Sequence, residues 1–205
     1  ANVTVKTVID NYIKAIGGEA KLKEVKSMVT TAKATVQGME LTTITKQTSK
    51  GELLSTSSMM GQVMSKQVIT PSMSYFEQQG QKTTLTGDEL KQAQSAAVLF
   101  NELDLSKKAG VTLTGIEKIN NADAYGIKDG DTTNFYDVAT GLKVSTASEI
   151  EAQGQKMTQT VYYSDYKEVK GIKVPFKTSM NMGIDIDMIT QEVKINEGVS
   201  AADFK

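Results

Sequence analysis

From Ser27 onward the apolar residues of this chain recur with a period of two, and glycines interrupt that rhythm at short intervals. No other feature constrains the fold as much. Met28, Ala32, Ala34 and Val36 share one face of an extended segment, with Thr31, Lys33 and Thr35 on the other. Gln37-Gly38-Met39 reads as a turn, a second strand covers 40–48, and Ser49-Lys50-Gly51 turns again. Further strands are predicted at about 52–59, 62–69 and 73–78, with Gly61, Thr70-Pro71 and Gly80 between them. Strands resume at about 111–119, 123–128, 132–138, 141–150 and 156–165, turned by Asp129-Gly130, Thr140-Gly141 and Gln153-Gly154. Two longer runs follow at about 172–181 and 184–195. Short strands joined by tight turns make an antiparallel meander. Nothing alternates as βαβ, which argues against a parallel sheet.

Two stretches carry helical spacing instead. Val5, Val8, Ile9, Tyr12, Ile13 and Ile16 recur every three or four residues behind a capping Thr4, and Gly17-Gly18 stops them. A short second turn passes through Ala20, Leu22 and Val25. Over 86–103, Thr86 with Glu89 forms a capping-box pattern, followed by the stripe Leu90, Ala93, Ala97, Phe100 and Leu103. A short tail runs from Ala201 to Phe204. The order is helix, meander, helix, meander, with no repeat and no Pro- or Ser-rich linker, so one domain over 1–205 is expected. A sheet this large needs its apolar face covered, and the amphipathic helices are available to cover it.

The 205 residues include no Cys, no His and no Trp, and all 23 basic residues are Lys. Disulfides, haem on His or Cys, iron–sulfur clusters on Cys, and Ser-His-Asp or Cys-His catalysis are excluded. So are bidentate guanidinium clamps, and zinc would have to rest on carboxylates alone. No metal or other cofactor is expected. The 24 Thr and 15 Ser suit half-exposed strands. Residues 1–103 carry a charge of +2 and residues 104–205 carry −3, so neither half attracts nucleic acid. No apolar run reaches the ~18–20 residues that span a bilayer. Ala1-Asn2-Val3-Thr4 fits an exported protein after signal-peptide removal, and fits a trimmed piece of a longer chain equally well.

Four stretches carry a resemblance. Phe135-Tyr136-Asp137 with Thr140-Gly141-Leu142 resembles an F-Y-D-x-x-T-G-L hairpin. Tyr163-Ser164-Asp165-Tyr166-Lys167-Glu168-Val169-Lys170-Gly171-Ile172-Lys173-Val174-Pro175-Phe176 resembles a Y-x-D-Y-+-x-V-x-G-I-+-x-P segment. Val193-Lys194-Ile195-Asn196 with Phe204 is similar to a closing strand and tail. Tyr12-Ile13-Lys14-Ala15-Ile16-Gly17-Gly18 with Leu22 and Val25 is similar to a first helix. Together they cover about a third of the chain and resemble the superfamily of the lipoprotein carrier LolA and its receptor LolB. The likeness is greatest to envelope members from Bacteroidetes-type bacteria, some of them joined to insulinase-type zinc peptidases. The resemblance implies a mostly β fold with a few helices (α+β). Its strongly curved antiparallel sheet is an unclosed half-barrel, with helices over an apolar concave face that holds acyl chains. The carrier mechanism is associated with an arginine that fastens the helical lid, and this chain departs from it in having none. It also lacks the N-terminal Cys through which LolB is anchored.

Methionine is flexible and polarizable and suits cavities for varied apolar ligands. The ligand-cavity candidates are therefore Met28, Met59, Met60, Met64, Met73, Tyr75, Phe100, Met180, Met182 and Met188, against the alternative of ordinary packing under the helices. Asp185 and Asp187 point the same way on a strand, which permits calcium binding or a shared proton, but their alternation with Ile184, Ile186 and Met188 favours a solvent face. Asp129-Gly130-Asp131 reads as a hairpin turn. Phe135, Tyr136, Tyr162, Tyr163 and Tyr166 form an aromatic group that either meets a ligand or packs across strands. Lys107-Lys108 and Lys21-Lys23-Lys26 sit near helix ends and read as solvated. The functional expectation is a non-enzymatic envelope protein, periplasmic or outer-membrane-associated. It binds a lipid or other apolar small molecule, or serves as an accessory domain for an envelope protein partner with a self-filled core.

Overall fold

The structure is a computed structural model that describes residues 2–152, 155–181 and 183–205. Two helices open the chain, α1 (Val5–Ile16) and α2 (Glu19–Glu24). Six strands follow: β1 (Ser27–Val36), β2 (Met39–Thr48), β3 (Leu53–Met59), β4 (Gln62–Ile69), β5 (Ser74–Gln78) and β6 (Gln81–Thr84). Then come α3 (Gly87–Ala97) and α4 (Glu102–Leu105). Seven more strands are β7 (Thr112–Ile119), β8 (Ala122–Asp129), β9 (Thr132–Asp137), β10 (Lys143–Ala152), β11 (Gln155–Val169), β12 (Ile172–Asn181) and β13 (Asp185–Ile195). A 3-10 turn over Ala201–Phe204 ends the described elements. The thirteen strands form one antiparallel hydrogen-bonded order, β6-β5-β4-β3-β2-β1-β13-β12-β11-β10-β9-β8-β7. Its first and last strands are edges, so the sheet is not closed. The class is mostly β with a few helices.

The chain forms two compact units, one of Ala1–Lys21 with Glu102–Asp187 and the other of Leu22–Asn101 with Met188–Lys205. In the first unit, α1 lies against β12 and α4. Thr4 caps it by accepting from the Thr7 N–H at 3.2 Å, and Val8, Ile9, Tyr12 and Ile16 form its buried stripe. It stops at Gly17, whose φ of +139° only glycine adopts readily, and the Gly18 N–H returns to the Ile13 carbonyl at 2.8 Å. A Cβ on Gly17 would sit 2.6 Å from the Gly171 carbonyl oxygen, so the missing side chain also lets the helix end meet the β11–β12 turn. Ile9, Ile16, Ile127, Tyr136 and Ile172 are the large, fully buried apolar side chains here.

In the second unit, α3 packs on β4 and β5. The other face of the same strands carries Val68, Tyr75 and Phe204 with Leu54 and Val199, so the chain end seals that side. Asp203 holds the tail to Lys46 at 2.7 Å. Asn196 clasps the start of β1. Its Oδ1 accepts from the N–H groups of Lys26 (2.6 Å) and Ser27 (3.2 Å), and its Nδ2 donates to the Glu24 carbonyl.

Two-residue turns with both φ positive close the β1–β2, β3–β4 and β5–β6 hairpins at Gln37-Gly38, Met60-Gly61 and Gln79-Gly80. Asn120-Asn121 and Lys170-Gly171 do the same for β7–β8 and β11–β12. This turn matches the twist of the strands it joins.

The sequence expectations need four corrections. The four-residue β6 was not anticipated. The single helix expected over 86–103 is two, α3 and α4, broken at residues 98–101, where Phe100 adopts φ +52°. Thr86 has the extended backbone of an N-cap but makes no side-chain capping hydrogen bond, with Gly87 at φ +61° after it; a capping box forms instead at Ser200 and Asp203. Strand β11 continues past residue 165 to Val169, across Asp165 at φ +52°. The turn expected at Gln153-Gly154 lies outside the described residues.

Candidate functional site

The first unit holds a buried charged cluster at the junction of α1, α4, β9, β10 and β11. Glu102 opens α4 and is only 3% exposed. Its Oε1 accepts from Lys143 Nζ, at the start of β10, and from the Tyr136 hydroxyl at 3.3 Å. The Lys143 side chain keeps 19% of its surface exposed. Its ammonium lies 5.5 Å from the Tyr12 ring centre and 5.9 Å from that of Tyr163. Tyr12 and Tyr136 pack with centroids 5.1 Å apart, and the Tyr166 hydroxyl donates to the Lys143 carbonyl at 2.7 Å.

Burial, and then the Glu102 charge, push Tyr12 and Tyr136 well above the ordinary phenol range. Burial also raises Tyr166, followed by Tyr163 and Glu102. For Lys143, burial acts to lower the pKa, but the carboxylate attraction and hydrogen bond of Glu102 outweigh it and raise it. Lys143 is therefore a firmly protonated ammonium, and the three phenols stay neutral at pH 7. These four groups keep their protons near neutrality, and the Glu102–Lys143 pair ties α4 to the sheet. The helix-to-sheet tie is made by lysine in a chain without arginine.

The sequence singled out Tyr136, Tyr163 and Tyr166, and these meet here; Tyr162 is exposed and Phe135 is buried. It missed Glu102 and Lys143. The available signal was a carboxylate inside the apolar run Leu99-Phe100-Asn101-Glu102-Leu103.

The candidate methionines differ in burial. Met28 is buried, Met59, Met180 and Met188 are half-buried, and Met60, Met64 and Met73 are exposed, Met60 at 85%. Tyr75 is buried against the chain end on the face opposite Met28. Phe100 is half-buried in the break between α3 and α4, and Met182 lies outside the described residues.

Strand register defines a different inner face in the second unit. The face that meets α3 carries a half-buried hydroxyl ladder, with Thr43 Oγ1 3.0 Å from Ser57 Oγ and Thr45 Oγ1 3.4 Å from Ser55 Oγ. Leu41 and Met59 flank the ladder at one end, and Leu53, Ile69 and Met28 at the other. Beneath α3 on β5, the buried Ser74 hydroxyl has no hydrogen-bond partner.

Asp187 accepts from Ser179 at 2.6 Å and pairs with Lys177 at 2.7 Å, and Asp185 accepts from Asn181; both are exposed, as expected. The Lys177 hydrogen bond, then that of Ser179, lowers the Asp187 pKa. Asp129 ends β8 and Asp131 lies in the β8–β9 turn, and Lys108 pairs with Asp129 at 2.7 Å. Among the described residues, no group of three or more carboxylates is positioned to hold a metal, and no helix is long and apolar enough to cross a membrane.

No family model matches the chain, and no curated protein matches it. Solved structures do. A DUF1329 family protein from Desulfovibrio piger matches with a TM-score of 0.60 at 12% identity, covering 98% of this chain and 97% of that one. A LolA superfamily protein from Nitrosomonas europaea matches with a TM-score of 0.60 at 12% identity, covering 100% and 98%. A domain assigned to an outer membrane lipoprotein-sorting protein from Vibrio parahaemolyticus gives 0.53 at 12%, covering 96% and 97%. At this identity the likeness is one of fold.

Proposed function

Proceeding from a chain with the LolA-like fold, we propose that it is a non-enzymatic cell-envelope protein, periplasmic or associated with the outer membrane, that binds a lipid, an acyl chain or another apolar ligand. One observation carries this reading. The inner face of the second unit offers half-buried apolar side chains at both ends of a hydroxyl ladder, and α3 meets that face over β4 and β5. Alkyl groups leaving water for Leu41, Met59 and Leu53 gain about 0.8 kcal/mol per CH₂. The hydroxyls accommodate an ester or amide, since each can donate or accept. Met180 and Met188, half-buried on β12 and β13, are assigned to the same role in their own units.

Exposed apolar side chains on the hairpin tips support contact with an apolar surface. Met39 is 40% exposed, Met60 85% and Val63 63%, on neighbouring strands or turns. The firmly held protons of Lys143, Tyr12, Tyr136 and Tyr166 support a binding role rather than catalysis. Native mass spectrometry of protein purified from cells, together with titration of a fluorescent fatty acid, tests the reading. A co-purified lipid or saturable binding is expected. Protein that carries no lipid and does not bind the probe overturns it.

A second reading draws on the first unit, where Ile9, Tyr12 and Ile16 of α1 and the Glu102–Lys143 pair pack against the unit's own sheet. It makes the chain an accessory domain of a larger envelope protein, with a self-filled core and no ligand. Specific capture of one envelope protein by lipid-free material favours that reading.

A further inference from the structure

We propose that a groove in the first unit, separate from the ligand face above, binds a phosphate-type oxyanion borne on an apolar body. The groove encloses about 510 Å³. One wall is α1, with Val8, Asn11, Lys14 and Ala15; the other is Tyr125 and the β9–β10 turn from Asp137 to Gly141, with Lys173 of β12 at the margin.

Three observations assign the ligand class. The first is charge. Lys14 and Lys173 both line the groove and are exposed, and among the described residues neither forms an ion pair. A phosphate ester carries about −1.5 to −2 at pH 7, which two ammonium groups match better than they match a single carboxylate. The one acid in the lining, Asp137, has Oδ1 engaged by the Thr140 N–H and hydroxyl, both at 2.7 Å. The Asn11 carboxamide and Tyr125 hydroxyl add neutral donors.

The second is rigidity. The turn is fixed by Gly141 N–H to Asp137 O at 2.9 Å, Asp137 N–H to Leu142 O at 2.8 Å and Val138 N–H to Asp123 O at 2.9 Å. Gly141, at φ +73°, lies so close to α1 that a Cβ would stand 3.1 Å from the Asn11 carbonyl oxygen. The walls are therefore set before any ligand arrives, which limits the ordering cost of binding. The third is that Val8, Ala15 and Val138 give one side of the groove an apolar surface, and Val138 is 42% exposed. A bare inorganic ion would leave that surface unused.

The phosphate is either borne on an alkyl body or a free inorganic ion, and the test separates them. Backbone amide shifts of Asn11, Thr140 and Gly141 are followed by NMR while inorganic phosphate, hexyl phosphate and hexanol are titrated in turn. Saturable shifts are expected with hexyl phosphate, at least tenfold tighter than with inorganic phosphate and absent with hexanol. Equal affinity for the two phosphates would point to a free phosphate, and would overturn the apolar-body part of the assignment. The Lys14→Gln/Lys173→Gln variant should bind hexyl phosphate at least tenfold more weakly with an unchanged circular dichroism spectrum. A Lys128→Gln/Lys156→Gln control should bind as the parent does. No saturable shift with either phosphate, or equal binding by the parent and the groove variant, would overturn the proposal. Because fatty-acid binding is read on the second unit, its loss and the loss of phosphate binding are distinguishable.

Discussion

Lys143 on β10 and Glu102 at the head of α4 neutralise one another beneath the Tyr12 ring of α1, 41 residues apart in sequence. The carboxylate is nearly sealed from water, while the ammonium retains a path to it. That asymmetry sets what each substitution does.

Removing the lysine strands the more deeply buried charge. Lys143→Met should cost about 3–5 kcal/mol, and Glu102→Gln somewhat less. The double variant should regain most of the loss, because two neutral groups leave no charge unmatched. Urea unfolding of the three variants checks this as a double-mutant cycle.

The cluster should also fail on the alkaline side. Lys143, Tyr12, Tyr136 and Tyr166 all hold their protons more tightly folded than unfolded. Their contribution is complete below the ordinary values of about 10 and is lost as pH rises through the folded values. Unfolding free energy should fall above pH ~10, and tyrosinate absorbance should show the buried phenols ionising only as the protein unfolds.

At the other end of the scale, the Lys46 hydrogen bond, with help from Ser200, holds the Asp203 carboxyl below its ordinary range. That contribution is present above the unfolded carboxylate value and disappears as pH falls through the folded one. Asp203→Asn should cost about 1 kcal/mol and flatten the acid limb of a stability–pH curve. Phe204→Ala, which empties the contact with Val68 and Tyr75, should cost about 3 kcal/mol at any pH.

Met60 occupies a turn position that favours Asn, Asp or Gly, at φ +51°. Met60→Asn should stabilise the protein by roughly 0.5–1 kcal/mol in thermal unfolding. If it also weakens uptake of the fluorescent fatty acid, the strained, exposed methionine is kept for contact rather than for folding.

Gly17→Ala places a methyl against the Gly171 carbonyl at a φ that alanine resists. A loss of about 2 kcal/mol is expected, measured by chemical denaturation.

Much of the architecture could be read from sequence because its causes are local. Alternation identified β1, Gly17-Gly18 ended α1 where the periodicity stopped, and glycine marked the turns at Gly38, Gly61 and Gly80. The break between α3 and α4 was hidden because Phe100 and Leu103 continue the helical spacing even though the backbone does not. The charged cluster was hidden for a different reason: nothing near Glu102 in sequence says that Lys143 will face it. The methionines show the limit most clearly. Met59 and Met60 are neighbours, yet a turn sends one to a half-buried face and the other into solvent. Composition can suggest a Met-lined surface but cannot sort methionines between faces.

Every strand pairing but β1 with β13 joins sequence neighbours. Hairpins can therefore zip as the chain emerges from the ribosome, while the Lys26–Asn196 clasp must close a loop of 170 residues. Until then β1, ten residues long, is an open edge able to pair with another nascent chain. Of the two edges that remain, β6 is only four residues, all polar, and β7 is eight. The vulnerable interval is thus the wait for β13, and a translational stall before residue 185 should aggregate where a chain that has made β13 does not.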